Sequence, residues 1–222
     1  IVGSIFESPL TYDLFTQPAR LKPATAVALP EVNADFTRFV FRLRPGIRFT
    51  DDPAFGGRPR ELVAQDYVYT VKRFYDPATR SPTLFHFENA GLVGLSELRR
   101  KALADKTAFP YDVEVAGIRA LDRYTFEVNT TRPAPRLPYV FATPAVTGAV
   151  AREVVEAAGG IAQTMERPVG TGPFRLAEWK RRSRIVLERN PHYDRVYDEV
   201  PPAGHPAHAW AARLQGLSLI HI

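Results

Sequence analysis

From residue 174 to residue 189 apolar and polar positions alternate with a period of two. Phe174 and Leu176 alternate with Arg175 and Ala177 as far as Trp179; Ile185 and Leu187 resume the pattern after a polar break at 180–183. Such alternation marks half-buried strands, so the stretch predicts a β-hairpin with a basic tip, closed by Asn190-Pro191. Gly170 and Gly172 stand just before it, where glycine gives backbone freedom or lets another segment come close. Pro173 has no amide donor and suits the first position of a strand.

The same reading gives the other elements. Residues 36–43 alternate, with Phe39, Phe41 and Leu43 on one side and Arg38, Val40 and Arg42 on the other. Pro45-Gly46 turns the chain into a short strand at Ile47 and Phe49. Asp51 and Asp52 open the following loop; no further carboxylates follow at calcium-loop spacing, so a turn is the reading. Ala64, Val68, Val71 and Tyr75 share one helical face, with Gln65, Asp66 and Lys72 off it, and Pro77 ends that helix. Residues 81–94 read as a loop and 96–105 as a short exposed helix. A second hairpin is predicted over 113–130, turning at Asp122-Arg123. A helix over 147–160 should turn Val150, Val154, Val155 and Ala158 inward and stop at Gly159-Gly160.

Near the start, Ile5, Phe6, Leu10 and Leu14 sit at helical spacing, but Pro9 forbids a helix through the middle. A short helix ending near Glu7, then an extended segment, satisfies both. From there to Pro30 the prolines imply an irregular crossing.

Composition changes this picture little. The chain has 222 residues, 45% of them hydrophobic and 24% charged, which is ordinary for a globular protein with a real core. A net charge of +5 is spread along the sequence, so it points only weakly to nucleic acid. There is no Cys, which removes disulfides, zinc-finger spacing and a thiol nucleophile. The start at Ile1 and the uncharged LSLIHI tail, which has no cap or partner pattern, lead us to expect a piece of something longer.

Three blocks resemble one family. PVGTGPFRLAEWKRRSRIVLERNPHYD, residues 168–194, resembles the "GTGPY…W…rNp.Y" signature of family 5 extracellular solute-binding proteins. Phe41, Leu43, Arg44, Gly46, Ile47, Phe49, Asp51, Ala64, Asp66, Tyr69, Thr70 and Arg73 match its N-terminal motif, and residues 113–130 resemble its "v.alDdyTf.v.l..p" hairpin. Val63 departs from the pattern: many relatives carry there a Thr able to cap the helix.

The resemblance implies an α/β periplasmic-binding-protein fold of the second type, incomplete. Residues 1–22 and 143–222 would belong to the first lobe and 23–142 to a small subdomain, the second lobe being absent. It also implies a periplasmic or surface-anchored monomer that clamps an extended peptide and delivers it to an ABC permease, with no cofactor, no metal and no enzymatic activity. By position, Glu7, Ser8 and Pro9 fall in the segment that touches ligand in relatives, and Phe85, His86 and Phe87 in the subdomain loop lying over it. The residues alone also allow plainer readings: Glu7 as a charge at a helix end, His86 as a packed ring.

The sequence also admits rival functions. Family members for nickel, haem or sugar are alternatives, and a basic nucleic-acid-binding module, suggested by 180–184, comes from another class. The opening IVGS is similar to an activated trypsin-like N-terminus, but the chain has no GDSGG and no suitable His-Asp-Ser series. His205 and His208 are three apart in a Gly/Pro setting and are too few for a metal site.

Overall fold

The computed structural model describes residues 1–214 apart from 14, 17, 196–199 and 202. The described part is a mixed α/β chain. Helix α1 (Val2–Ile5) leads into strands β1 (Leu10–Asp13) and β2 (Arg20–Pro23), then β3 (Glu31–Val32) and β4 (Arg38–Arg42). Helices α2 (Ala64–Tyr75), α3 (Phe85–Ala90) and α4 (Leu95–Asp105) follow, then β5 (Ile118–Ala120) and β6 (Thr125–Asn129). The short helices α5 (Leu137–Val140), α6 (Pro144–Thr147) and α7 (Arg152–Ala157) lead to β7 (Phe174–Lys180), β8 (Arg184–Arg189) and α8 (His208–Leu214).

Strands β3, β4, β6 and β5 pair in that order into an antiparallel four-stranded sheet. Its centre is aromatic. Phe41 and Phe126 face each other across β4 and β6, their rings stacked at 4.8 Å. Tyr67 of α2 covers Phe126 at 5.3 Å, and Phe141 lies 4.8 Å from Phe41. All four side chains are fully buried, so each adds its whole apolar area to the core.

Helix α2 has the predicted inner face: Ala64, Val68, Val71 and Tyr75 are all buried. Its opposite side differs from expectation, because Asp66 and Lys72 are buried too. Asp66 accepts from the Val63 amide at 2.8 Å, the one half of a capping box open to a helix that starts after valine, and pairs with Arg60 at 2.7 Å. Lys72 Nζ donates to the Tyr111 and Val113 carbonyls, at 2.8 and 2.7 Å. A loop packs over the polar side of α2 and supplies partners that periodicity cannot foresee.

Other expectations are corrected in the same way. Val40 is buried, not outward, since it pairs with Glu127 between Arg38 and Arg42, whose stems shield that face. Residues 81–94 are not a loop: they contain α3, with Phe87 and Ala90 inward and Gly91 ending it at φ 73°. Arg132 donates to the Glu88 and Asn89 carbonyls at the helix's open end. In the second hairpin only 118–120 and 125–129 form strands; Val113 is exposed. The crossing up to Pro30 contains the β1–β2 hairpin, and Leu14 lies outside the described residues. Ile47 and Phe49 pair with Arg60 and Leu62 only as an isolated bridge.

The hairpin β7–β8 forms as expected, with one irregularity at Ala177. The extra residue puts Leu176 opposite Leu187 and Trp179 opposite Ile185, which strict alternation would not do. Its basic tip is paired: Lys180 and Arg184 reach Glu178, and Arg181 reaches Glu166.

Candidate functional site

The segment from Ile5 to Leu10 is held on all sides by groups far away in sequence. Helix α1 ends at Ile5, earlier than Glu7, and Phe6 is already extended. The Glu7 carbonyl accepts from the Ala149 amide at 3.1 Å and from the Tyr67 hydroxyl at 3.1 Å. The Ser8 carbonyl takes the Thr25 amide at 3.4 Å, and the Pro9 carbonyl takes the Ala24 and Ala26 amides at 2.9 and 3.0 Å. Ser8 Oγ donates to the Leu10 carbonyl at 2.8 Å. Ser8 and Pro9 are buried, their carbonyls already engaged.

This grip also explains why 147–160 is not one helix. Gly148 sits at ψ 124°, and a Cβ there would lie 2.6 Å from Phe6 Cβ. The extended residues 149 and 150 point their amides at the Glu7 carbonyl and the Thr70 hydroxyl. Those bonds compete with helical ones, so α6 stops at Thr147 and α7 starts at Arg152. Val150, Val154 and Val155 are buried as expected, and Ala158 is half-buried.

The glycine motif closes the grip from the other side. The Gly172 amide donates to the Ile5 carbonyl at 2.8 Å, and a Cβ on Gly170 would fall 2.1 Å from the same oxygen. Asn190, fully buried, donates from Nδ2 to the Gly172 carbonyl at 2.8 Å and ties the end of the hairpin back to its start.

The Glu7 carboxylate points into this joint. Thr171 Oγ1 donates to it at 3.0 Å and Arg195 pairs with it; Arg195 in turn lies 4.3 Å over the Tyr193 ring. Burial pushes the Glu7 carboxyl up, against the opposing pull of Arg195 and Thr171. Tyr67 is likewise held well above the usual phenol range by burial.

The second group of candidates is split. Phe87 is in the core, 5.1 Å from Phe74 and 6.4 Å from Phe141. Phe85 is 50% exposed, and His86 lies over it at 4.1 Å. Phe141 links the two groups: its carbonyl accepts the Leu10 amide, and its ring lies 6.4 Å from that of Phe87. Tyr67 and Arg195 carry no sequence signal for this site; Thr70 and Thr171 lie inside the motif blocks, but the blocks do not show that Thr70 receives the Val150 amide or that Thr171 donates to Glu7.

A profile of the family described as "Bacterial extracellular solute-binding proteins, family 5 Middle" matches residues 20–205. The chain belongs to that family. Among family 5 relatives, the periplasmic oligopeptide-binding protein OppA of Salmonella typhimurium is 30% identical over 198 residues, 86% of this chain and 33% of that protein. Haemophilus influenzae OppA, solved in complex with RPPGFSPFR, matches with a TM-score of 0.67 at 27% identity, over 86% of this chain and 33% of that one. Burkholderia pseudomallei OppA matches with 0.67 at 27% identity, over 89% and 35%. The chain thus spans about a third of the length of these family 5 proteins. The fold expected from the three motif blocks, an incomplete periplasmic-binding-protein α/β fold, is the one these comparisons bear out.

Proposed function

We propose that the protein to which this chain belongs captures extended oligopeptides outside the cytoplasm and delivers them to a membrane permease of an ABC importer. It does so without catalysis. The observation that carries the reading is the match to oligopeptide-binding proteins over 86% of the chain, combined with the pinned Ile5–Leu10 segment. In this reading residues 1–22 and 143–222 belong to one lobe and 23–142 to a smaller subdomain; the four-stranded sheet lies wholly within the latter span.

A binder that must accept many sequences needs a rigid wall and sequence-blind contacts. Ser8 and Pro9 serve the wall, because their carbonyls are already satisfied by the chain. Glu7 keeps the segment's position through Thr171 and Arg195. The accessible pair Phe85 and His86 offers the peptide an aromatic surface, and Phe87 anchors it. Mass spectrometry of ligand co-purified with the complete protein tests the reading. Mixed short peptides are expected; nickel, haem or a sugar in their place would overturn the peptide assignment.

A further inference from the structure

A cleft of about 440 Å³ opens between the end of α2, the residues around Tyr111 and the turn after α7. Its wall is a small apolar cluster in which Tyr69 and Val155 are buried and Tyr111 and Ile161 partly buried. The Tyr69 and Tyr111 rings stand 5.0 Å apart. None of the six residues named as ligand candidates lines it.

Arg73 makes the cleft unusual. It lies in the last turn of α2, one turn after Tyr69, and its Nε is buried with no hydrogen-bond partner among the described residues. The guanidinium keeps its charge and lies 5.5 Å over the Phe74 ring, and its buried Nε–H, left unpaired, favours an acceptor that enters the cleft. The other charged groups here are occupied. Arg152 lies over both tyrosine rings but pairs with Asp112 and Glu156. Asp76 accepts from the Tyr111 hydroxyl at 2.7 Å and from the Ala78 amide at 2.9 Å. The amides of Gly159 and Gly160 are used by the Glu156 and Val155 carbonyls, so they are not donors for a ligand. Gln163, at the rim, adds a side-chain amide.

We propose that this cleft binds a small organic monocarboxylate, its charge on Arg73 and its apolar stem against the half-buried Tyr111 and Ile161, which the buried Tyr69 ring backs. A single negative charge fits better than a phosphate, because Asp76 and Glu156 also line the cleft and repel a dianion more strongly. The volume suits a ligand of that size. This site goes beyond peptide capture and stands or falls independently of it.

The test is an NMR titration of the 15N-labelled chain with phenylacetate, following the Arg73 Nε–H and the amides of 159–163, with phenylacetamide as the uncharged control. Saturable shifts at about 1 mM phenylacetate, absent with phenylacetamide, are expected. Arg73→Lys keeps the charge but loses the planar fork, and should weaken binding about tenfold. If Arg73→Lys does not fold, Gln163→Ala at the rim should still weaken binding about threefold while the amide control stays silent. No saturation by about 20 mM, equal shifts with phenylacetamide, or undiminished affinity in a folded Arg73→Lys would overturn the proposal.

Discussion

The Gly172 amide donates to the Ile5 carbonyl at 2.8 Å, and the same oxygen leaves no room for a side chain on Gly170. The glycine motif is thus a socket for the N-terminal segment. Gly170→Ala should cost about 3 kcal/mol, since the clash is with backbone and neither strand of the contact can swing away. Gly46, at φ 83° with nothing within 4 Å of its added Cβ, is the control, and Gly46→Ala should cost only about 1 kcal/mol. Urea denaturation of both variants decides it; equal losses would remove the socket.

Helix α2 should not tolerate a charge inside. Val71 is fully buried, so Val71→Asp is expected to lose on the order of 4 kcal/mol through an unpaired buried carboxylate. An unchanged melting temperature would show that the helix faces another way.

Phe85 and Phe87 should separate stability from binding. Phe87→Ala is expected to cost about 4 kcal/mol, as for a fully buried ring, and Phe85→Ala less than about 0.5 kcal/mol. In the complete protein, Phe85→Ala and His86→Ala should lower peptide affinity with little change in the unliganded melting temperature. Unaltered affinity in both would return this pair to an ordinary surface role.

Glu127 should make the sheet acid-sensitive. Its carboxylate is buried, which alone would raise its pKa, but Arg119 at 2.7 Å and Arg38 at 2.8 Å outweigh that and hold it below the ordinary carboxylate range. A lowered folded pKa means more proton uptake on unfolding, so this stabilisation is present above the unfolded value and lost as pH falls through the folded one. Thermal melts from about pH 6 to pH 3 should show a smaller acid loss for Glu127→Gln than for the wild type. Parallel curves would remove Glu127 as a source.

Periodicity was enough for α2 and β4, whose apolar rows pack into the core; for β7–β8 it located the two strands but not the extra residue at Ala177 or the exposure of Ile185 and Val186. It failed where a partner far along the chain decides. Lys72 is buried with its ammonium on the carbonyls of 111 and 113, and the Ala149 amide goes to the Glu7 carbonyl instead of a helical partner. Helix α3 escaped notice because six residues give too few turns for a pattern. At the candidate site, Glu7 entered as an expectation from the family resemblance, by its place in the N-terminal segment. Its partners were not, since Thr171 and Arg195 lie 164 and 188 residues away.

Isothermal calorimetry with a mixture of short peptides, run on the complete protein and on residues 1–222, tests the peptide-capture account most directly. On the proposed reading a ligand held between two lobes draws only part of its contacts from this chain, which spans about a third of the length of its relatives. If the complete protein binds at ~1 μM, losing half of that free energy leaves the chain at about 1 mM. The account predicts that pair of results. Micromolar binding by the chain alone, or no heat from the complete protein, would contradict it.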